Sequence, residues 1–184
     1  YRSDPDLQEL HRQHPMIHVW DDHEFTNDPY PGGAQNHDEG EGDWSDRVEF
    51  ALQAYSEWMP TRLRQNNIIY RSFNFGLVQL FMLDRQRRFL WPEDDDDHYL
   101  GRAQADWLTT HIQASKAPWL VLGQGTTFAP RNASGTGGCS WDSDSRREVL
   151  EAVELAESDN LIVLTGDIHK FDALDIVHDP ATYA

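Results

Sequence analysis

Two short stretches of this sequence concentrate side chains that could bind a metal ion. The first, Asp21-Asp22-His23-Glu24, directly follows the apolar run 16–20. The second, Gly166-Asp167-Ile168-His169, directly follows the apolar run 161–165. Ionisable side chains are costly to bury, so their position at the ends of apolar runs needs a physical reason. Either stretch alone is compatible with a solvated turn, whereas carboxylate and imidazole together suit a divalent or trivalent metal ion.

The two stretches can form one site only if the fold brings them together. In open α/β sheets, ligands bind beyond the carboxyl ends of the strands. If the two apolar runs form neighbouring strands that point the same way, then Asp22, His23, Asp167 and His169 converge. A continued strand would place Asp167 and His169 on one face, and Gly166 would allow a sharp turn there. The sequence therefore predicts one shared metal site or a pair of metals at this position.

Apolar periodicity predicts a layered α/β fold with a mixed sheet. Helices are predicted over 6–14, 45–58 (with Ser45 as its N-cap), 101–115 and 145–157. Strands are predicted over 16–20, 68–73, 77–83, 118–123, 161–165 and 173–177, with the second and third forming a hairpin. The Gly- and Asp-rich stretch 21–43 is predicted to be a long loop, and such loops are often functional. The acidic run 92–98 is predicted to be a solvated loop.

Composition limits the class of function. A chain of 184 residues with 39% hydrophobic residues and seven Trp can build a core, so one globular domain is expected. The net charge of −17 argues against a nucleic-acid-binding surface, which needs basic patches. The sequence contains no apolar run long enough to span a membrane. With a single cysteine, Cys139, no disulfide within the chain can form.

The order of seven stretches resembles the PhoD-like alkaline phosphatases, a branch of the calcineurin-like metallophosphoesterases. They are HVWDDHEFTND, AYSEWMPTR, YRSFNFGLVQLFMLDRQRR, LGRAQADWL, APWLVLGQGT, SWDSDSRREVL and NLIVLTGDIH. The resemblance implies a metallophosphoesterase-type α/β/β/α sandwich with mixed β-sheets, incomplete at both ends. Residues 1–184 are then expected to be a single, partial metallophosphatase domain. The family's Gly-Asp-x-x-Tyr block, with its bridging Asp and iron-binding Cys, is expected upstream of this chain.

The resemblance also implies roles for residues of the first stretch. Asp22-His23-Glu24 is similar to the Gly-Asn-His-[Asp/Glu] turn of the superfamily. Asp22 would therefore ligate metal, and His23 would face the substrate phosphate as the catalytic histidine. Glu24 is expected to orient His23, with an exposed carboxylate as the alternative. Asp21 is given no ligand role and is expected to cap the turn.

Three further ligands are implied elsewhere in the chain. Gly166-Asp167-Ile168-His169 is similar to the Gly-His-x-His turn, with Asp167 in place of its first histidine, so Asp167 and His169 would ligate metal. Gln124 follows the predicted strand 118–123 where the superfamily often has a ligand histidine, and it is included as a metal ligand. The implied cofactors are two or more metal ions, calcium and iron by resemblance, with zinc or manganese as alternatives.

The function implied by the resemblance is metal-dependent hydrolysis of phosphate esters. The expected substrates are small-molecule or polymeric phosphate monoesters, with diesters as a further option, attacked by metal-activated water. The alternative is a catalytically inactive, truncated or pseudoenzyme domain that binds metal weakly, because two metals are hard to hold together without a bridging carboxylate. The family is often exported, which implies a periplasmic or extracellular location, although the sequence itself leaves location and oligomeric state open.

Overall fold

The computed structural model describes residues 3–30, 32–62, 67–86, 98–129, 141–158 and 160–176. Four helices are present among these residues: α1 (Pro5–Gln13), α2 (Trp44–Trp58), α3 (Arg102–Ala114) and α4 (Ser143–Leu155). The strands are β1 (Pro29–Tyr30), β2 (Gly33–Ala34), β3 (Arg71–Phe75), β4 (Val78–Met82), β5 (Trp119–Gly123) and β6 (Leu161–Leu164).

All four predicted helices are confirmed, and acidic side chains mark where three of them begin. The Asp4 carboxylate accepts hydrogen bonds from the backbone N–H groups of Asp6 and Leu7, and Asp142 accepts one from the N–H of Ser145. Such caps satisfy N–H groups that have no partner within the helix. The predicted cap of α2 was wrong by two residues, because its N-cap is Asp43 rather than Ser45.

The main sheet has four strands in the order β3-β4-β5-β6, so the prediction of a mixed sheet is confirmed. The predicted hairpin is the antiparallel pair β3 and β4, whose turn includes Gly76 at a φ of 63°. Strands β4, β5 and β6 are parallel, and Phe81, Leu122 and Val163 lie side by side across them. A short antiparallel ribbon of β1 and β2 lies within the predicted loop 21–43.

Two hydrophobic clusters hold the elements together. The larger cluster joins one face of the sheet to α3 and α4, with Leu120 and Leu122 buried against Leu108, Ile112 and Val149. The smaller cluster joins Trp20 and Ile69 to the apolar stripe of α2, which consists of Val48, Leu52 and Tyr55. Full burial of one such aliphatic side chain contributes about 1.5–3 kcal/mol, so both clusters are substantial sources of stability.

Three of the predicted strand features were wrong. Residues 16–20 are not a strand, because they pair with no strand in the described parts of the chain and only Trp20 is buried. The described part of 173–177, residues 173–176, has no regular structure. Strand β6 is less buried than predicted, because Leu161 and Val163 contact the larger cluster while Ile162 and Leu164 on the opposite face are 41% and 55% exposed.

Two further predictions concern the acidic run 92–98 and the extent of the domain. The acidic run 92–98 lies outside the described residues except for His98, which is buried. That residues 1–184 form one partial domain stays a prediction. Within the ranges described, no helix has the length and apolar character needed to cross a membrane.

Candidate metal centre

The carboxyl ends of the three parallel strands form one edge of the sheet. Asp84 follows β4, Gln124 and Gly125 follow β5, and Gly166 and Asp167 follow β6. Backbone hydrogen bonds continue across these ends, from Leu83 N–H to the Gly123 carbonyl at 2.9 Å and from Gln124 N–H to the Leu164 carbonyl at 3.1 Å. This edge is where α/β sheets bind ligands.

The acidic loop, residues 21–28, reaches this edge by docking rather than by strand pairing. The indole N–H of Trp20 donates a 2.8 Å hydrogen bond to Asp84 at the end of β4. A side chain on Gly125 at the end of β5 would place its Cβ 2.6 Å from the Asp21 Cβ, so glycine alone permits this approach. The extended run 16–20 therefore delivers its acidic residues to the predicted edge, although it is not a strand.

Four candidate ligands meet at this edge. Two of them, Asp22 and Asp167, were predicted as ligands, and His23 was predicted as the catalytic residue. The predicted ligand His169 is not part of this cluster. One ligand atom from each of Asp21, Asp22, His23 and Asp167 can be chosen so that all lie within 4.8 Å of one another. Asp22 is 2% exposed. Its Oδ2 accepts a 2.9 Å hydrogen bond from the N–H of Asp28, whereas its Oδ1 has no hydrogen-bond partner among the described residues.

The backbone of the acidic loop is held from both sides. The Asp22 carbonyl accepts the N–H groups of Phe25 and Thr26 at 3.1 and 2.9 Å. From α2, the Arg47 guanidinium donates a 2.9 Å hydrogen bond to the Phe25 carbonyl. The Asn36 side-chain oxygen accepts hydrogen bonds from the Thr26 hydroxyl at 2.5 Å and from the backbone N–H of residue 27 at 2.8 Å. The acidic loop is therefore held in place by hydrogen bonds to the rest of the protein and is not a merely solvated turn.

His23 lies against two carboxylates at the solvent side of the cluster. Its Nδ1 is 3.1 Å from Asp21 Oδ2 and 3.3 Å from Asp22 Oδ1, and its side chain is 41% exposed. The hydrogen bond that the His23 ring donates to Asp21 raises the pKa of the ring above its usual value; burial opposes this rise, and the charges of Asp22 and Asp167 add to it. Asp21 also accepts the backbone N–H of His23 at 2.8 Å, which confirms its expected role as the cap of the turn.

Glu24 touches the cluster through Asp21. Its Oε2 accepts a 2.7 Å hydrogen bond from the backbone N–H of Asp21. Burial raises the pKa of Glu24 and the Asp21 side chain acts in the same direction, whereas the hydrogen bond from the Asp21 backbone acts against it. For Asp21 itself burial acts to raise the pKa, but the hydrogen bonds to Glu24 and His23 outweigh it and the pKa is lowered. In this geometry Glu24 is linked to His23 by way of Asp21, not directly.

The second predicted stretch forms a turn rather than a continued strand. Asp167 and His169 have φ angles of 73° and 54°, a left-handed conformation that non-glycine residues seldom adopt. The Ile168 N–H donates to the Gly166 carbonyl at 2.9 Å, which closes the turn. Asp167 Oδ2 is buried without a hydrogen-bond partner among the described residues, and the His169 ring centre lies 5.1 Å from that of His23.

Gln124 is buried beside the cluster, and its amide is engaged in its own turn. Its Oε1 accepts hydrogen bonds from the Thr126 N–H at 3.1 Å, the Thr126 hydroxyl at 2.9 Å and the Trp141 indole at 3.3 Å. Its Nε2 donates to the Thr126 carbonyl. A ligand role for Gln124 stays a prediction, and it would require Oε1 to exchange one of these hydrogen bonds for the metal.

The donor set fits a metal ion on chemical grounds. Asp22 and Asp167 each bury a carboxylate oxygen that no hydrogen bond satisfies in the described residues, although the His23 ring lies 3.3 Å from that of Asp22. A buried charged oxygen is costly unless a donor or a cation compensates it. Carboxylate oxygens joined by imidazole suit several divalent and trivalent metals, so the donors alone do not choose among them.

These features define a class of protein, namely an α/β domain with a candidate metal centre at the carboxyl ends of parallel strands. The profile of the PhoD-like phosphatases matches residues 1–184, and the chain belongs to that family. It is 28% identical to alkaline phosphatase D of Bacillus subtilis (strain 168) over 195 aligned residues, which cover 92% of this chain. The solved structure of PhoD covers 91% of this chain with a TM-score of 0.74 and 28% identity. The expected fold class is thereby confirmed.

The chain spans about a third of the length of these relatives. The alignments cover 33% of alkaline phosphatase D and 37% of the chain in the PhoD structure.

Some features of the site had no clear signal in the sequence. Asp21 was given only a capping role, yet its carboxylate belongs to the cluster as closely as that of Asp22. The sequence hinted at this role only weakly, because Asp21 lies inside an unbroken run of ionisable residues at the end of an apolar run. The contacts of Trp20 with Asp84 and of Asp21 with Gly125 join residues far apart in the chain, and no local pattern encodes them.

Proposed function

We propose that the full-length protein hydrolyses phosphate esters at the cluster of Asp21, Asp22, His23 and Asp167. Its main support is the pair of buried carboxylate oxygens, Asp22 Oδ1 and Asp167 Oδ2, which lack hydrogen-bond partners among the described residues of one small cluster. Membership of a phosphatase family supplies the reaction class. Phosphate monoesters are the proposed substrates, and diesters are a second group.

The proposal assigns different work to the residues of the cluster. Asp22, Asp167 and His169 hold metal, and we add Asp21 as a further carboxylate donor. A bound metal supplies positive charge that neutralises the phosphoryl oxygens and lowers the pKa of a water molecule. Glu24 keeps Asp21 in place through the hydrogen bond to its backbone N–H.

His23 is the proposed catalytic residue, because it is the exposed member of a cluster whose other members are buried or half-buried. In the metal-free chain its contact with Asp21 raises the pKa of the ring. A protonated imidazole can donate a hydrogen bond to the phosphoryl oxygens or a proton to the leaving alkoxide. Asp21 orients the ring for this purpose by accepting a hydrogen bond from it.

Replacing His23 tests this assignment in the full-length enzyme. His23→Ala should lower kcat for p-nitrophenyl phosphate by about 10²–10⁴-fold, the usual contribution of a general acid. Bound metal, measured by elemental analysis, should not change, because His23 is not a ligand in this proposal. His14→Ala removes an exposed histidine after the end of α1 and should retain full activity. Retained turnover in His23→Ala would refute the assignment.

The identity of the metals and the location of the protein are proposed from its resemblance to the family. We propose two or more ions, calcium and iron first, with zinc or manganese as alternatives. The oxygen-rich donors favour calcium, and the histidines admit the transition metals. We also propose a periplasmic or extracellular location.

A second candidate is a domain that binds metal without turnover. Only one cluster of three or more acidic, histidine or cysteine ligands occurs in the described ranges, and the chain spans a third of its relatives. Metal binding without ester hydrolysis by the 184-residue chain, beside an active full-length protein, would show that residues outside this chain complete the centre.

A further inference from the structure

A buried carboxylate lies behind the candidate metal centre, at the end of β4. Asp84 is fully buried, and its backbone N–H and carbonyl are both bonded to the Gln104 side chain, at 2.8 and 2.7 Å. Gln104 is itself buried in α3 and also donates to the Leu100 carbonyl at 3.2 Å. The position of Asp84 is therefore fixed by the sheet and by α3 together.

Asp84 uses its side chain to hold Trp20. Its Oδ1 accepts the indole N–H of Trp20 at 2.8 Å, and both residues are buried. Hydrogen bonds to an ionised acceptor in a buried setting are stronger than neutral ones and fix the orientation of the donor. The Trp20 ring also stacks on Phe25 and lies against Tyr55, with ring centres 5.3 and 5.0 Å apart.

A second contact, from a guanidinium group, holds the same short segment. The Arg71 guanidinium donates a 2.6 Å hydrogen bond to the His18 carbonyl, two residues before Trp20. Burial lowers the pKa of Arg71, while the nearby Tyr55 and Asp84 act in the opposite direction. Asp84 and Arg71 thus both hold the segment that leads into the acidic loop, Asp84 through the Trp20 side chain and Arg71 through the His18 carbonyl.

The location of Trp20 makes this anchoring consequential for the metal centre. Trp20 directly precedes Asp21, and its carbonyl lies 3.2 Å from where a Cβ on Gly125 would be. The indole is thus fixed at the end of β4, while the following peptide is fixed at the end of β5. These two points determine where Asp21 and Asp22 place their carboxylates relative to Asp167.

We propose that Asp84 and Trp20 are a positioning pair that holds Asp21 and Asp22 in ligating geometry, a role that rests on the proposed function. Neither residue belongs to the cluster of candidate ligands. Partners behind the ligands of a metal site commonly change metal affinity by about 10–100-fold when they are removed. The pair acts through the backbone between Trp20 and Asp22 rather than by contact with substrate.

The test uses three single variants and one double variant of the full-length protein. Trp20→Phe removes the indole N–H and keeps an aromatic ring, and Asp84→Asn keeps the shape of the acceptor and removes its charge. Trp107→Phe is the matched control, because it removes an indole from the packing around Tyr70 and Phe81, away from the acidic loop. Two readouts are needed: the dissociation constant for Mn²⁺, and hydrogen exchange of residues 21–28 after chelation.

The expected result has three parts. Trp20→Phe and Asp84→Asn each weaken Mn²⁺ binding by about 10–100-fold, and each accelerates exchange of the amides in residues 21–28. The double variant is no weaker than the worse single variant, because the two changes break the same contact. Trp107→Phe binds Mn²⁺ within about twofold of the unaltered protein, and its exchange in residues 21–28 is unchanged.

Other outcomes would overturn the positioning role. One is unchanged amide exchange of residues 21–28 in Trp20→Phe. Another is a loss of Mn²⁺ affinity in the double variant that equals the product of the two single losses. A third is an equal loss of Mn²⁺ affinity in Trp107→Phe. Accelerated exchange in a protein that binds no Mn²⁺ even when unaltered would contradict the proposed function, while still supporting Asp84 as the anchor of the acidic loop.

Discussion

Asp167 combines two properties that are costly for a residue without a function. Its φ of 73° is unfavourable for most side chains, and its buried Oδ2 has no hydrogen-bond partner in the described residues. Asp and Asn tolerate this conformation better than other residues, because their short polar side chains can bond locally. The type of residue is therefore suited to the backbone as well as to a metal.

Two substitutions at Asp167 separate these properties. Asp167→Asn should weaken metal binding strongly yet leave the melting temperature of the chelated protein no lower, because removing one charge relieves repulsion from Asp21 and Asp22. Asp167→Ala should lose metal affinity as well and should destabilise the chelated protein by a further ~1 kcal/mol, because alanine disfavours positive φ. The measurements are metal titration and thermal unfolding after chelation. A chelated Asp167→Asn protein that unfolds well below the unaltered protein would contradict this account.

At the scale of elements, His18 connects the lead-in of the acidic loop to α2. Its Nδ1 lies 3.0 Å from the Tyr55 hydroxyl and its Nε2 3.0 Å from the Thr61 hydroxyl. Burial lowers the pKa of His18 below its ordinary 6.5, and the charge of Arg71 acts in the same direction. The folded state thus prefers neutral His18, and the unfolded chain binds its proton more readily.

This shift predicts how stability depends on pH. The contribution of neutral His18 is fully present above pH 6.5 and is lost as the pH falls through that value towards the lower pKa of the folded state. The unfolding free energy of the unaltered protein should therefore drop more between pH 7.5 and pH 5 than that of His18→Gln. Chemical denaturation at several pH values measures this. His14→Gln, at an exposed position after α1, should follow the unaltered protein, and equal pH slopes for all three proteins would refute the prediction.

The helices could be predicted from local signals. Helices α2 and α3 carry an apolar stripe at helical spacing, and α1 and α2 are followed by the stop residues Pro15 and Pro60. Apolar runs alone were not enough to identify the strands. The run 16–20 is apolar because Trp20 enters the smaller cluster, not because the run joins the sheet. An apolar run shows that a segment is covered but not what covers it, so docking and strand pairing look alike in sequence. Strand β6 is apolar on both faces, although only one face is packed against the larger cluster.

The candidate site was predicted through its residue types more than through its geometry. Asp22, His23 and Asp167 do converge, but a tight approach at Gly125 and the anchor at Asp84 bring them together rather than two adjacent strands. Such contacts depend on three-dimensional shape and leave no periodic trace in the chain. A glycine after an apolar strand is also common in ordinary turns, which is why Gly125 gave no warning of its role.

At the scale of the whole molecule, the sheet edge collects functional groups from three separate parts of the chain. Residues 20–24, the end of β5 and the turn after β6 meet there. The net charge of −17 makes the whole molecule a favourable environment for cations. The chain spans a third of its relatives, so the full-length protein is the proper object for the central test.

The central claim is that Asp22 and Asp167 share a metal ion, and anomalous X-ray scattering tests it most directly. Crystals of the full-length protein soaked in Mn²⁺ should show an anomalous peak within coordination distance of Asp22 Oδ1 and Asp167 Oδ2. The same map for Asp167→Asn should show a much weaker peak at that position. A peak elsewhere, with none between these two carboxylates in the unaltered protein, would contradict the claim.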